Sequence, residues 1–208
     1  ELVDDVILRE NLGTLTMYPN TTSRILTIDG NNHSINAEND TTKYSGVIIN
    51  SGDTLVLNDV GMKNFSAIGE GLSGAVISNS GQLNINNSVF NSNNADNGAA
   101  IFNYESGNVN IIESKFEENH ADNSGGAIYN KGLITGVSGD FISNSATMDG
   151  GAIYNLGKIG SITGNFKGNH ANTETSCTQT DRGRNTSHRL GDRQRSAQCH
   201  CGTNTSQG

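Results

Sequence analysis

Apolar side chains along this chain fall in short groups, and almost every group is closed by Gly or Asn. Within residues 127–143, for instance, three such groups occupy residues 127–130, 133–137 and 140–143. Strands of three to five residues are predicted there, because Val, Ile, Phe and Thr fit a pleated surface while Gly and Asn reverse a chain with little strain. The pattern returns at a nearly fixed distance. Gly74-Ala75-Val76-Ile77-Ser78-Asn79 recurs as Gly98-Ala99-Ala100-Ile101-Phe102-Asn103, Gly125-Gly126-Ala127-Ile128-Tyr129-Asn130 and Gly150-Gly151-Ala152-Ile153-Tyr154-Asn155, at intervals of 24, 27 and 25 residues. A second motif keeps step with it: Phe90-x-x-Asn93, Phe116-x-x-Asn119, Phe141-x-x-Asn144 and Phe166-x-x-Asn169. A weaker earlier copy is read in residues 47–52 followed by Phe65.

Three short strands and three turns per copy fit one coil of a parallel β-helix, whose coils stack about 4.8 Å apart. Stacking predicts an interior column of Ile77, Ile101, Ile128 and Ile153, and a second of Phe90, Phe116, Phe141 and Phe166. The repeated Asn is expected to form amide ladders at the turns, and the first Gly of each motif to allow a positive φ at a corner. The fold class is therefore all-β, a right-handed parallel β-helix, since parallel crossovers are right-handed almost without exception.

Composition narrows the picture. Of 208 residues only 16% are charged and 33% hydrophobic; Trp is absent, there is one Pro, and Asn outnumbers even the 26 Gly. A thin cylinder with stacked core columns needs few large apolar residues, which accounts for the low apolar fraction. No apolar run approaches the roughly 18 residues of a membrane-spanning helix, so no insertion of this segment into a membrane is expected. The net charge of −8 argues against a nucleic-acid partner, which needs clustered Lys and Arg. The charge is unevenly placed: up to Asn172 there are 8 basic and 18 acidic side chains, whereas from Thr173 on there are 5 Arg and 3 acids. Leu190 is the only Leu, Ile, Val, Phe or Met in residues 173–208, and all three Cys lie there. The chain accordingly divides into an N-terminal lead-in or cap (1–23), the repeat array (24–172) and a non-repeat tail (173–208) expected to be disordered. The tail has Ser176-Cys177-Thr178 where the period calls for Gly-Gly-Ala-Ile, which reads as a frame-shifted or joined end. Glu1 follows no signal-peptide pattern and reads as a processed start.

Gly-Gly-Ala-Ile alternating with Phe-x-x-Asn resembles the passenger repeats of polymorphic outer-membrane proteins and related bacterial autotransporter adhesins. The stretch from Leu26 to Ile35 is similar to the opening coil of pectate-lyase-like surface β-helix proteins. This resemblance, over about residues 24–172, implies a secreted β-helix displayed at the bacterial cell surface or outer membrane, a virulence-associated adhesin that binds a host surface protein, matrix or glycan.

Several groups of residues bear on chemistry. Tyr129 and Tyr154 on neighbouring coils, with Phe102 one coil further, are expected to form an outward aromatic strip for a glycan or other partner. Asp96 and Asp122 each lie six residues after their repeat Phe, so superposed coils would hold them about 5 Å apart, the spacing of retaining glycosidases; the same oxygens could serve Ca²⁺, and the plain alternative is a solvated acidic turn. His120 and His170 stand two coils apart, too far to share a metal. Cys177, His188, Cys199, His200 and Cys201 contain zinc-ligand types without the usual spacing. No metal or cofactor is expected. Two functions stand against each other: a non-catalytic adhesin-like segment, favoured by the regular repeats, and a carbohydrate-active β-helix enzyme such as a polysaccharide lyase, glycoside hydrolase or phage-type depolymerase, resting on Asp96 and Asp122.

Overall fold

The computed structural model of the protein describes residues 1–9, 15–16, 23–39, 45–69, 73–172 and 199–201. All regular structure among these residues is strand, and the strands pair in parallel into a β-solenoid of about five turns. One coil runs through Ile77–Asn79, Gln82–Asn86, Val89–Asn91 and Asn94–Asn97 before the chain returns at Ile101–Asn103. Successive coils add a strand to each of three sheets, of twelve, seven and five strands among the described residues. In two coils the second and third strands merge into the ten-residue strands Asn108–Glu117 and Leu133–Ile142.

Alternate residues of each strand point inward, and the inward positions stack by register. Ile77, Ile101, Ile128 and Ile153 pair in sequence and are fully buried. Phe90, Phe116, Phe141 and Phe166 also pair in sequence, the first three fully buried and Phe166 partly, with ring centroids 4.9, 4.8 and 4.7 Å apart and planes within 6° of parallel. Each pair of such rings adds about 0.5–1.5 kcal/mol beyond the apolar area it buries. Below Phe90 the column continues with Met62 and then Ile35. This corrects the reading of Phe65 as an early repeat Phe. Ser66 pairs with Asn94, so Phe65 occupies the position that later coils give to Asn93.

The register explains both motifs. In Phe-x-x-Asn the Phe faces the core, the next residue faces out, and the third bends the chain in the left-handed region: φ is 55° at Ser92, 55° at Glu118, 54° at Ser143 and 66° at Gly168. The Asn then turns into the interior, where Asn93, Asn119, Asn144 and Asn169 are all buried. Asn119 uses every hydrogen-bonding position it has. Its Oδ1 accepts the backbone N–H of Asn93 (3.2 Å) and an Nδ2–H of Asn93 (2.8 Å); its Nδ2 donates to the Phe90 carbonyl (3.0 Å) and to Asn144 Oδ1 (2.9 Å). Asn144 repeats the pattern toward Asn169. The ladder begins where the Phe65 N–H donates to Asn93 Oδ1 at 3.0 Å. A second ladder joins Asn79, Asn103, Asn130 and Asn155 through Nδ2 to Oδ1 bonds of 2.8, 2.7 and 2.6 Å. Both amide ladders were expected at turns; they lie inside the coil and cap those turns from within. In the other motif the first Gly has φ of 71°, 57°, 73° and 64° at Gly74, Gly98, Gly125 and Gly150. A Cβ on Gly74 would stand 2.3 Å from the Ile77 carbonyl oxygen, so no other residue fits this corner.

At the N-terminal end, Val6–Arg9 pairs with Ser34–Asn39 and Leu15–Thr16 with Val47–Ile49, so coil pairing reaches into the lead-in segment. Asp5 Oδ1 accepts the Ser34 N–H at 2.6 Å and the Ser34 hydroxyl at 3.1 Å, which hold its carboxyl below the usual range. The expected disorder of residues 173–208 lies outside the described residues, except for Cys199–Cys201, which pairs with Ile153–Asn155.

Two substitutions separate the core columns from the ladder. Phe116→Ala should cost about 3–5 kcal/mol in denaturant unfolding, because the cavity sits between two rings that cannot close on it. Asn119→Ala should cost about 3 kcal/mol or more, since it strips partners from Asn93, Phe90 and Asn144 at once. A near-neutral result for either would contradict the interior placement.

Candidate interaction surface

Outward-facing residues stack by the same register, so the lateral surface is a set of strips parallel to the solenoid axis. On the seven-stranded sheet one strip runs Ser78, Phe102, Tyr129, Tyr154. Phe102 and Tyr129 stack at 4.8 Å and 12°, and Tyr129 and Tyr154 meet at 4.8 Å and 44°. The expected glycan-contact residues are thus brought together, but their ring faces are turned toward one another. Phe102 is only 5% exposed. Tyr104 packs on it at 4.6 Å, and the Lys131 Nζ stands 5.6 Å from its ring centre and 5.9 Å from that of Tyr129. What solvent meets here is ring edges, the hydroxyls of half-buried Tyr129 and Tyr154, exposed Tyr104, and the Lys131 amine. Tyr104 and Lys131 were not singled out from sequence, although each directly follows a ladder Asn and so stacks at one turn. Burial raises the Tyr129 hydroxyl above its ordinary value of 10.0, and Tyr154 beside it adds to the shift; burial, then Asp149, raises Tyr154.

On the five-stranded sheet the strip is Ser66, Asn94, His120, Ser145, His170. His120 Nδ1 lies 2.8 Å from Ser145 Oγ and its Nε2 lies 3.3 Å from Asp122 Oδ1. His170 Nε2 lies 2.9 Å from Asn172 Oδ1, with the Ser145 coil between the two histidines. The register breaks between Ala95 and Asn97, so Asp96 faces two residues, Asp122 and Asn123. Asp96 Oδ1 accepts the Gly69 N–H at 3.2 Å while Asp122 turns to His120. The two carboxylates weighed as an alternative acidic site thus each have another partner. A shallow depression of about 350 Å³ lies over Gly139 and Gly164, edged by Glu113, Lys115 and Asp140. Lys115 Nζ is held by Glu117 at 2.8 Å. Among the described residues no three His, Cys, Asp or Glu side chains converge on a point that could hold a metal; Cys177 and His188 lie outside those residues, and so do the side chains of Cys199, His200 and Cys201.

Residues 113–131 and 138–156 match the Chlamydia polymorphic membrane protein (Chlamydia_PMP) repeat. Each matched stretch begins on one of the two ten-residue strands, includes a buried Asn of each ladder and ends one residue past the strand that follows the glycine corner. These repeats are those of an autotransporter family, and the solenoid they build fits the passenger β-helix of a polymorphic outer-membrane protein. No curated protein and no solved structure matches the chain.

The tyrosine strip makes a pH prediction. A phenol whose folded value is raised contributes stability that is fully present below its unfolded value and is lost as pH rises through the folded one. Alkaline titration followed by tyrosinate absorbance should therefore show two of the five Tyr ionising late. Unfolding should become easier above about pH 10, the ordinary phenol value. Tyr154→Phe should bring Tyr129 down toward that value; no change in Tyr129 would contradict the stacked arrangement.

Proposed function

We propose that this chain is a non-catalytic, adhesin-like segment of a surface-exposed autotransporter passenger, attaching to host cells, matrix or glycans through an extended lateral face. The observation that carries this reading is that the two matched repeats form successive coils of the stack, paired strand to strand. A regular solenoid repeats similar groups every 4.8 Å or so, which favours many weak contacts strengthened by multivalent display. The contact proposed for a protein partner is the strip of Tyr104, Tyr129, Tyr154 and Lys131, since aromatic and cationic side chains are those that anchor protein interfaces. The same reading puts the segment at the outer membrane or cell surface.

Beads carrying the purified chain at rising density test it with cultured epithelial cells. Attachment should exceed that of the monomer by about 10²-fold or more and fall several-fold for Tyr129→Ala/Tyr154→Ala. Asp96→Asn and Asp122→Asn should leave it unchanged. Release of new reducing ends or unsaturated products from polysaccharides, abolished by Asp122→Asn or Asp140→Asn, would overturn this reading in favour of a carbohydrate-active enzyme.

A further inference from the structure

The outer face formed by the strands Thr54–Asn58 and Gln82–Asn86 and by the first halves of Asn108–Glu117 and Leu133–Ile142 bears no charged side chain. Its outward positions in four successive coils are filled by Asn, Gln, Thr, Val, Ile, Leu and Gly. In a chain of net charge −8, with Lys63, Lys115, Glu117 and Asp140 on the strands that continue the same sheet past its bend, this is a distinct surface. Asp29 and Lys158 bound it along the axis. Asp59 and Glu113 mark one lateral corner, where the backbone turns at φ 51° and 48°.

The amides on this face are partly ordered and partly open. Gln82 Nε2 donates to Asn84 Oδ1 at 3.2 Å, Asn86 Nδ2 to Asn58 Oδ1 at 2.8 Å, and Thr135 Oγ1 to Asn108 Oδ1 at 2.7 Å. These bonds hold Asn84 and Asn108 through their oxygens, and neither Nδ2 has a hydrogen-bond partner among the described residues. The Asn110 side-chain amide has no hydrogen-bond partner among the described residues. A row of half-exposed primary amides therefore offers adjacent donors and acceptors on a rigid sheet, with exposed Ile112 (45%) and Leu133 (40%) at its edge.

We infer that this face is a binding platform for a neutral glycan, an inference that rests on the adhesin reading and specifies the ligand of one face. Hydroxyl groups on neighbouring sugar carbons each donate and accept, as a primary amide does, and the C–H side of a sugar ring suits the apolar rim. Charge argues the same way: an acidic glycan needs Lys or Arg to replace its counterions, and the face has none. So does size. Four coils about 4.8 Å apart and five residues of about 3.3 Å make a patch roughly 15 Å on a side, or about 200 Å². A stable protein interface takes about 800 Å² from each partner, so this patch fits an oligosaccharide of a few residues rather than a protein.

The ¹⁵N-labelled full chain, titrated with gluco-, manno- and galacto-hexasaccharides and with a sulfated heparin-type hexasaccharide, tests the inference. At least one neutral hexasaccharide should shift the side-chain amide signals of Asn84, Asn108 and Asn110 at millimolar concentration, and the sulfated one should not. Asn84→Asp/Asn110→Asp faces solvent and should keep the melting transition while weakening binding by about tenfold or more, the loss of one or two hydrogen bonds. Tyr129→Ala/Tyr154→Ala should leave the hexasaccharide shifts intact. Absence of shifts with all three neutral probes, equal binding of the sulfated probe, or unchanged binding by the Asp variant would each overturn it. If cell attachment survives while these shifts are absent, the glycan platform fails and the adhesin reading stands.

Discussion

From Asn79 to Asn169 each successive coil of this solenoid places asparagine side chains where water cannot reach them, and their burial is tolerable only because the coil above supplies what the coil below lacks. An amide buried without partners costs about 2–7 kcal/mol. Asn119 and Asn144 avoid that cost by spending two acceptor and two donor positions on adjacent coils and on a phenylalanine carbonyl. A one-residue slip of any coil would turn the amide outward and drive a polar neighbour inward, so the ladder pins the register as well as the spacing. The Phe stack follows from it, because Phe90, Phe116 and Phe141 stand three residues before their Asn and are carried into alignment with it. Serine extends the same device to another corner, where Ser88 Oγ accepts the Val60 N–H at 3.3 Å and Ser114 Oγ the Ser88 N–H at 3.1 Å.

With the interior fixed so tightly, the outside is free to vary. Residues facing outward at equivalent positions change from Ser78 to Phe102 to Tyr129, and from Val89 to Lys115 to Asp140, without disturbing the pairing. The surfaces of the solenoid consequently differ in chemistry: aromatic with one lysine on the seven-stranded sheet, histidine and serine on the five-stranded one, and on the long sheet a neutral, amide-rich part beside a charged part at the glycine depression. A rigid core bearing variable strips is a suitable frame for recognition by many weak contacts, and it has no need of a deep pocket.

The two interior columns and the parallel stacking could be read from sequence because apolar identity and period coincide there; Ile and Phe recur at one phase in four coils. Phe65 was misplaced for the opposite reason. It matches the motif by residue type, whereas its register is set three residues earlier by Met62, which does not look like a repeat Phe. The depth of the Asn ladders was hidden because Asn is also the usual residue of exposed turns. Asp96 and Asp122 were equidistant from their Phe, but a bulge after Ala95 makes sequence distance a poor guide to position. The neutral face has no motif at all, and emerges only when strand register assigns Gln82, Asn84, Asn108 and Asn110 to one side of a sheet.

Hydrogen exchange of the asparagine side chains addresses the central claim most directly. If the ladders are buried and saturated, the Nδ2 protons of Asn119 and Asn144 should exchange only when the solenoid opens globally, about 10³-fold or more slower than those of Asn84 and Asn110 on the outer face. Exchange of the ladder amides at the rate of the outer ones would contradict the account, because it would mean that the coils are held in register by something else.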